Sequence, residues 1–156
     1  MPGPPLNRST NFTMAGYHYK LEIVPKSFLS VTEGKENYWE AEQPKQMMLA
    51  EFRKLLPKDN SWGETEEYRC DKNRSVLYIW WDNQKVWSIQ LEYAPVLQGK
   101  DILLNSIIDL CRQFGYNLYS EESKRIVIPS KSELWQDFIQ CSRFQIYKQQ
   151  GLAEFG

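Results

Sequence analysis

The side chains that could carry acid–base, nucleophilic or metal chemistry are few and scattered along this chain. His18 is the one histidine among 156 residues, and the three cysteines, Cys70, Cys111 and Cys141, form neither a CxxC pair nor an even set. A metal site or a histidine-assisted nucleophile needs several such groups brought together, and the spacing does not favour pairing His18 with any cysteine. We therefore expect no metal and no other cofactor. We interpret the cysteines as reduced, buried thiols of a cytosolic protein.

Carboxylates occur in two runs, at Glu64, Glu66 and Glu67 and again at Glu121 and Glu122. A catalytic acid and base need two carboxyl groups in different environments, one of them desolvated enough to raise its pKa. Both runs lie in polar segments, which predicts solvated side chains instead. The sequence also lacks a phosphate-binding glycine loop, a nucleophile elbow, an HExxH helix and an EF-hand loop. We therefore expect a protein that is not an enzyme.

Three of the six tryptophans lie on one predicted hairpin, in the stretch LYIWWDNQKVWSIQLEY at residues 77–93. Aromatic rings on adjacent strands can stack nucleic-acid bases. However, the formal net charge of −1 and the single lysine of the hairpin, Lys85, offer little to neutralise phosphates. We therefore expect no nucleic-acid partner. The enrichment of tryptophan at the centres of protein interfaces favours a protein partner instead.

The three tryptophans of the hairpin cannot all have the same role, because adjacent side chains on a strand point to opposite faces. With an even turn at residues 82–85, Trp80 and Trp87 fall on an apolar face that is predicted to pack beneath the helices. An odd turn would place polar residues beside Trp80, which is less consistent. Trp81 falls on the less covered face, so it is the hairpin ring expected to contact a partner.

The most negative surface is predicted at residues 58–71, where five acidic residues face two basic ones. Such a segment would form an acidic rim that steers a basic partner toward the site. Tryptophans beside the rim would anchor the partner. The alternative interpretation is an ordinary solvated segment. The residues predicted to contact the partner are Trp62, Glu64, Glu66, Glu67, Asp71 and Trp81.

The elements that position these residues follow from hydrophobic periodicity. Alternating apolar residues predict strands, and apolar residues recurring every three or four positions predict amphipathic helices. A capping box at Ser130 and Glu133 indicates the start of the last helix, and Gly115 indicates the end of the helix before it. The predicted order is a strand at residues 17–24, a helix between Pro44 and Pro57, a short strand near residues 67–70, the hairpin, a helix from Asp101 to Gly115, strands at residues 116–119 and 125–128, and a helix from Ser130 to Gly151.

Strands that are grouped rather than alternating with helices indicate an α+β fold. We predict an antiparallel or mixed sheet of about six strands with three helices packed mainly on one face. In the first strand, YHYKLEIV, alternation places Tyr19 inward and His18 outward as a solvated side chain. Residues 15–150 are expected to form this single domain, with residues 1–14 as a flexible N-terminal segment and residues 151–156 as a short tail.

The chain contains no apolar run that approaches the roughly 18 residues needed to cross a bilayer. Its first residues, MPGPPLNRSTNFTM, lack the apolar region of a secretory signal. We therefore expect a cytoplasmic protein with no membrane partner.

Three successive stretches carry a resemblance to known proteins. They are LPKDNSWGETEEY, SVLYIWWDNQKVWSIQLEY and ILLNSIIDLCRQFGYNLYS, and the resemblance covers residues 55–129. In this order they resemble small bacterial α+β proteins, some of which act as immunity proteins against polymorphic toxins. The resemblance implies a cytoplasmic, non-enzymatic protein that binds and blocks a cognate toxin through one surface. No functional residue of this chain can be assigned from the resemblance, because the motifs that carry it are hydrophobic patterns.

Two functions from different classes remain open. The first is a non-catalytic protein-binding module, in the form of an immunity-type inhibitor that occludes a cognate toxin or another partner protein. The alternative is a small-ligand-binding protein or minor enzyme with a pocket over the aromatic sheet. That alternative predicts a concave pocket lined by aromatic rings with a few convergent polar groups.

Overall fold

A computed structural model describes residues 18–28, 37–59, 63–69, 75–94, 102–142 and 144 of the chain. These residues form one antiparallel sheet of six strands together with three helices, which confirms the predicted α+β class. The predicted N-terminal segment and C-terminal tail lie outside the described residues. The elements are β1 (Tyr19–Pro25), α1 (Gln46–Arg53), β2 (Thr65–Arg69), β3 (Val76–Asp82), β4 (Lys85–Tyr93), α2 (Ile102–Phe114), β5 (Tyr116–Ser120), β6 (Arg125–Val127) and α3 (Lys131–Phe138).

The strands lie in the order β2-β3-β4-β1-β5-β6, so the first strand in the sequence is near the middle of the sheet. β1 pairs with β4 on one side, where Leu21 is opposite Leu91, and with β5 on the other, where Ile23 is opposite Leu118. β1 therefore joins the hairpin of β3 and β4 to the hairpin of β5 and β6. All five pairings are antiparallel.

One face of the sheet carries the hydrophobic core. Leu21, Ile23, Leu77, Ile79 and Leu91 point to this face and are fully buried, as alternation along each strand requires. All three helices pack on the same face, which confirms the predicted layering. The contacts that place them there are Arg53 of α1 with Glu66, Phe114 of α2 with Tyr116, and Phe138 of α3 with Tyr19. We call the opposite face of the sheet, which points away from the helices, the far face.

One half of the predicted capping box, the Ser130 cap, is present, and so is the predicted glycine after α2. The Ser130 hydroxyl accepts a hydrogen bond from the backbone N–H of Glu133 at 3.4 Å, which caps α3. Gly115 follows α2 with φ of +75°, a conformation that suits glycine. However, α3 ends at Phe138 rather than at the predicted Gly151. The amides of Gln140 and Cys141 then bond carbonyls three residues back, which tightens the chain into a turn.

Both edges of the sheet are protected against pairing with another chain. Beside β2, the Arg69 N–H donates to the Pro57 carbonyl at 2.9 Å and the Asp59 N–H donates to the Glu67 carbonyl at 2.8 Å. At the other edge β6 has three residues and Pro129 follows shortly after it. Short or covered edges of this kind disfavour the addition of a further strand.

The hairpin of β3 and β4 turns through Asn83 and Gln84, whose φ angles are +52° and +67°. This is the even, two-residue turn that the sequence predicts, with Asp82 paired to Lys85. Positive φ at both central positions matches the right-handed twist of the flanking strands. Asparagine tolerates this conformation, whereas glutamine does so at a cost.

A β-bulge next to the turn overturns the predicted positions of the tryptophans. Trp81 pairs with Val86 but Trp80 pairs with Ser88, so Trp87 is an extra residue in β4. One extra residue reverses the face to which the rest of a strand points. The prediction that Trp80 and Trp87 pack beneath the helices is therefore wrong. Both rings lie on the far face, and Trp81 points toward the helices and packs against the core.

The prediction that His18 is a solvated side chain is also wrong. His18 lies on the opposite side of the chain from Tyr19, as alternation predicts, but it is only 5% exposed. Its Nδ1 atom is 3.9 Å from the Glu92 carboxyl. Two further far-face side chains of β1, Glu22 and Val24, are buried as well.

The predicted reduced, buried thiols are confirmed for the two cysteines that the structure describes. Cys111 of α2 and Cys141 after α3 are both buried and are not joined in a disulfide. Burial raises the pKa of the Cys111 thiol to about 12, so it is protonated at neutral pH. The third cysteine, Cys70, lies outside the described residues.

The geometry of the turn gives a test of the hairpin. Replacing Gln84 by glycine relieves a positive φ at an exposed position, so we expect the free energy of unfolding to rise by about 0.5–1 kcal/mol. Urea unfolding monitored by circular dichroism measures the change. As a control, Lys85→Gly removes a side chain from an exposed strand position next to the turn and should be destabilising. A loss of stability in Gln84→Gly would contradict this turn.

Candidate binding groove

A concave groove of about 310 Å³ lies on the far face of the sheet. Its floor comes from the adjacent strands β1 and β4, where Glu22 is directly opposite Gln90. The Glu22 side chain is only 3% exposed, and the Ser88 hydroxyl donates to its carboxyl group, with 2.8 Å between Oγ and Oε2. Glu22, Ser88 and Gln90 therefore give the groove a polar floor. Its volume falls in the range of small-molecule sites.

The first wall of the groove consists of Trp80 and Trp87. Trp80 projects from β3, and Trp87 reaches the same side because it is the extra residue of the bulge. The ring of Tyr78 supports Trp80, with 5.9 Å between centroids. Trp87 is 40% exposed, so part of its ring is accessible to a ligand in the groove.

The second wall consists of Tyr38 and Tyr119, whose ring centroids are 6.0 Å apart. Tyr119 projects from β5, and Tyr38 comes from the segment that precedes α1. Phe28 packs against both rings, at 5.3 Å from Tyr38 and 5.4 Å from Tyr119. Three mutually packed rings have few alternative rotamers, so this wall is held in place without a ligand.

The turn between β5 and β6 closes one end of the groove with charged side chains. The Gln90 amide donates to the Glu121 carboxyl at 2.8 Å, which joins this turn to the floor. Lys124 is exposed and adopts φ of +57°, a left-handed conformation. Among the described residues that line the groove, Glu22 and Glu121 are acidic and Lys124 is basic.

The groove is suited to holding a ligand. Aromatic rings on two sides provide surfaces for stacking or for contact with a cation, and the floor provides hydrogen-bonding groups. Within the described part of the chain, no group of three or more His, Cys, Asp or Glu side chains is placed to hold a metal ion. The arrangement therefore supports binding by packing, hydrogen bonds and charge.

A second cavity, of about 250 Å³, lies at the other side of the same turn and includes Cys141 and Tyr19. The pKa of the Cys141 thiol is raised to about 11, mainly by burial and to a smaller extent by the neighbouring charge of Asp137. Its thiol is therefore protonated and weakly nucleophilic at neutral pH. Asp137 itself accepts hydrogen bonds from Tyr19 at 2.5 Å and from Arg125 at 2.7 Å. These contacts fix α3 to the sheet.

Two of the residues predicted to contact a partner, Glu66 and Trp81, meet on the helix side of the sheet. The Arg53 guanidinium donates to both oxygens of the Glu66 carboxyl at 2.9 Å, and the Tyr68 hydroxyl and the Trp81 indole each donate at 2.6 Å. We call these four residues the Glu66 network. The Arg53 bond, followed by those from Tyr68 and Trp81, outweighs partial burial and lowers the pKa of Glu66 to about 2.

The other predicted contact residues do not join Glu66 and Trp81 in one surface. Glu67 points to the far face, where it is buried and paired with Arg69 at 2.8 Å. Glu64 is exposed beside the hairpin turn, and its carboxyl accepts the Asn83 N–H at 3.1 Å. Trp62 and Asp71 lie outside the described residues. The predicted acidic rim is thus divided between the two faces of the sheet and the turn.

Sequence reasoning missed the residues of the groove because no motif marks the bulge that brings them together. One signal was available in the sequence. Val86 and Ile89 are both apolar but three positions apart, and in a regular strand they would point to opposite faces. Both are buried in the structure, and an extra residue between them is what allows this.

The Glu66 network predicts a pH-dependent loss of stability. Because the folded pKa of Glu66 lies near 2, below its ordinary value of 4.5, its charge stabilises the fold above pH 4.5. That stabilisation is lost as the pH falls through 2. We expect Glu66→Gln to lower the free energy of unfolding by about 1–3 kcal/mol at pH 7. The difference from the wild type should shrink between pH 5 and pH 2.

Urea unfolding at a series of pH values measures this dependence. The matched control is Glu51→Gln, which removes an exposed partner of Lys54 and should change stability little at any pH. A difference between Glu66→Gln and the wild type that stays constant down to pH 2 would show that the Glu66 charge is not held by the network.

Comparison with protein-family models, curated proteins and solved structures gives no significant match. Among the described residues, no helix combines the length and the apolar character needed to cross a bilayer. The function of the groove therefore has to be inferred from its own geometry.

Proposed function

We propose that the protein is a non-catalytic binding protein that holds a small ligand in the groove of the far face. The observation that carries this proposal is the convergence of four aromatic rings, from β3, β4, β5 and the segment before α1, around a polar floor. A concave site with aromatic walls and a few polar groups is the usual form of a small-molecule site.

The two walls differ in a way that suits ligand binding. The Tyr38–Tyr119 wall is packed against Phe28 and is already ordered, so little conformational entropy is lost there when a ligand binds. Trp87, in contrast, keeps 40% of its surface exposed. A ligand lying between the walls would cover this ring, and burial of tryptophan surface is among the largest single contributions to binding.

The contacts of the predicted rim favour this function over occlusion of a protein partner. An immunity-type inhibitor working through the rim would have to present its acidic residues together. Glu66 is instead held by Arg53, Tyr68 and Trp81 on the helix side. Glu67 is buried on the far face. Binding to a protein partner through this segment stays a prediction from the sequence.

Fragment binding monitored by backbone amide chemical shifts tests the proposal. We expect fragments to shift the amides of Glu22, Ser88 and Tyr119 and to leave those of α1 and α2 unchanged. Trp87→Ala should weaken the affinity of those fragments by about 30-fold, the effect of a tryptophan at the centre of a site. Because Trp87 is partly exposed, the variant should remain folded.

The matched control for Trp87→Ala is Met47→Ala. Met47 is also a large exposed apolar residue, 72% exposed, but it lies on α1 on the other side of the sheet. This variant should bind the same fragments as the wild type does. Equal loss of affinity in both variants, or fragment shifts confined to the helices, would contradict a site in the groove.

A further inference from the structure

We infer that the groove selects a small organic cation, of the quaternary ammonium class, over neutral and anionic ligands of the same shape. This inference rests on the proposed function, because it names the ligand class of the same groove. It follows from the position of the charges in the groove and from the electrostatic character of its rings.

The charged groups that line the groove differ in how strongly water screens them. Glu22 lies on the floor with 3% of its surface exposed, whereas Lys124 is exposed on the turn at the end of the groove. A charge in contact with water acts weakly over a few ångströms, while a buried charge acts through a medium of lower dielectric constant. Among the described lining residues, an ionised Glu22 carboxyl therefore contributes most to the potential on the floor, and Glu121 adds to it at one end.

The aromatic walls favour the same sign of ligand charge. The face of an aromatic ring is electron-rich, and tryptophan attracts a cation more strongly than tyrosine or phenylalanine does. Trp80 and Trp87 line one side of the groove, and Tyr38 and Tyr119 line the other. A cation in the groove would therefore face electron-rich rings, with the Glu22 carboxyl in the floor.

A quaternary ammonium group fits this environment better than a phosphate does. Its methyl groups make apolar contacts with rings and need no hydrogen-bond acceptors, which suits walls made of aromatic carbon. A phosphate would have to approach Glu22 and Glu121, and like charges in a partly buried site repel strongly. A neutral ligand of the same shape would gain the ring contacts but no charge–charge attraction from the carboxyl groups.

Isothermal titration calorimetry with two probes of the same shape tests the inference. The first probe is choline, and the second is 3,3-dimethylbutan-1-ol, in which a carbon atom replaces the charged nitrogen. We expect choline to bind at least about 10-fold more tightly than the neutral probe, since a partly desolvated cation–π contact is worth that much. Trp87→Ala should weaken the binding of both probes.

Glu22→Gln removes the carboxyl charge from the floor of the groove while keeping a side chain of nearly the same shape. This variant keeps a hydrogen-bond acceptor for Ser88, so choline should lose its advantage while the affinity for the neutral probe stays the same. The control is Asp109→Asn, which removes an exposed carboxylate on α2 and should leave the affinities for both probes unchanged. If Glu22→Gln does not give the native circular dichroism spectrum, Glu121→Gln replaces it and should reduce the preference for choline.

The outcomes distinguish the inference from the function on which it rests. Equal affinities for the two probes, with loss of both in Trp87→Ala, would overturn cation selectivity and leave the groove as the binding site. Binding of choline that Trp87→Ala does not alter would overturn both. Failure of the wild type to bind choline would overturn the inference, and the fragment experiment would then decide the function alone.

Discussion

One extra residue in β4 determines what the sheet presents on each of its faces. Side chains alternate along a strand, so Val86 and Ile89, three positions apart, would point to opposite faces in a regular strand. Both are buried in the core, because the bulge at Trp87 restores the alternation between them. The bulge therefore allows both side chains to be buried in the core, and it also places the Trp87 indole ring on the far face. Burial of two aliphatic side chains, worth about 1.5–3 kcal/mol each, favours this arrangement over a regular strand.

The groove depends on this constraint together with the central place of β1. β1 lies beside β4, so Glu22 is next to Ser88. β5 lies on the other side of β1, so Tyr119 faces the hairpin across the floor. The walls then come from parts of the chain far apart in sequence. Contacts on the helix side hold the hairpin in this position, since Glu66 binds the Trp81 indole and the Arg53 guanidinium. The partly buried Glu66 network thus helps to fix which face carries the site.

The fold could be predicted from the sequence to a larger extent than the site. Periodicity indicated the order and type of the nine elements in the described part of the chain, and the Ser130 cap and Gly115 marked helix ends correctly. These features depend on neighbours within four residues along the chain. The site depends on one insertion in a strand pairing and on rings that meet only after the sheet has formed. The alternation rule, applied without the bulge, placed Trp80 and Trp87 on the wrong face.

Fluorine NMR of protein labelled with 5-fluorotryptophan tests the central claim most directly, because each of the six tryptophans gives its own resonance. Single substitutions to phenylalanine assign the signals, and choline is then titrated into the wild type. The bulge and the groove predict that the resonances of Trp80 and Trp87 shift together with one dissociation constant, while those of Trp39 and Trp81 stay unchanged. A shift of Trp81 with no shift of Trp80 or Trp87 would contradict the assignment of the rings to the two faces, and with it the proposed site.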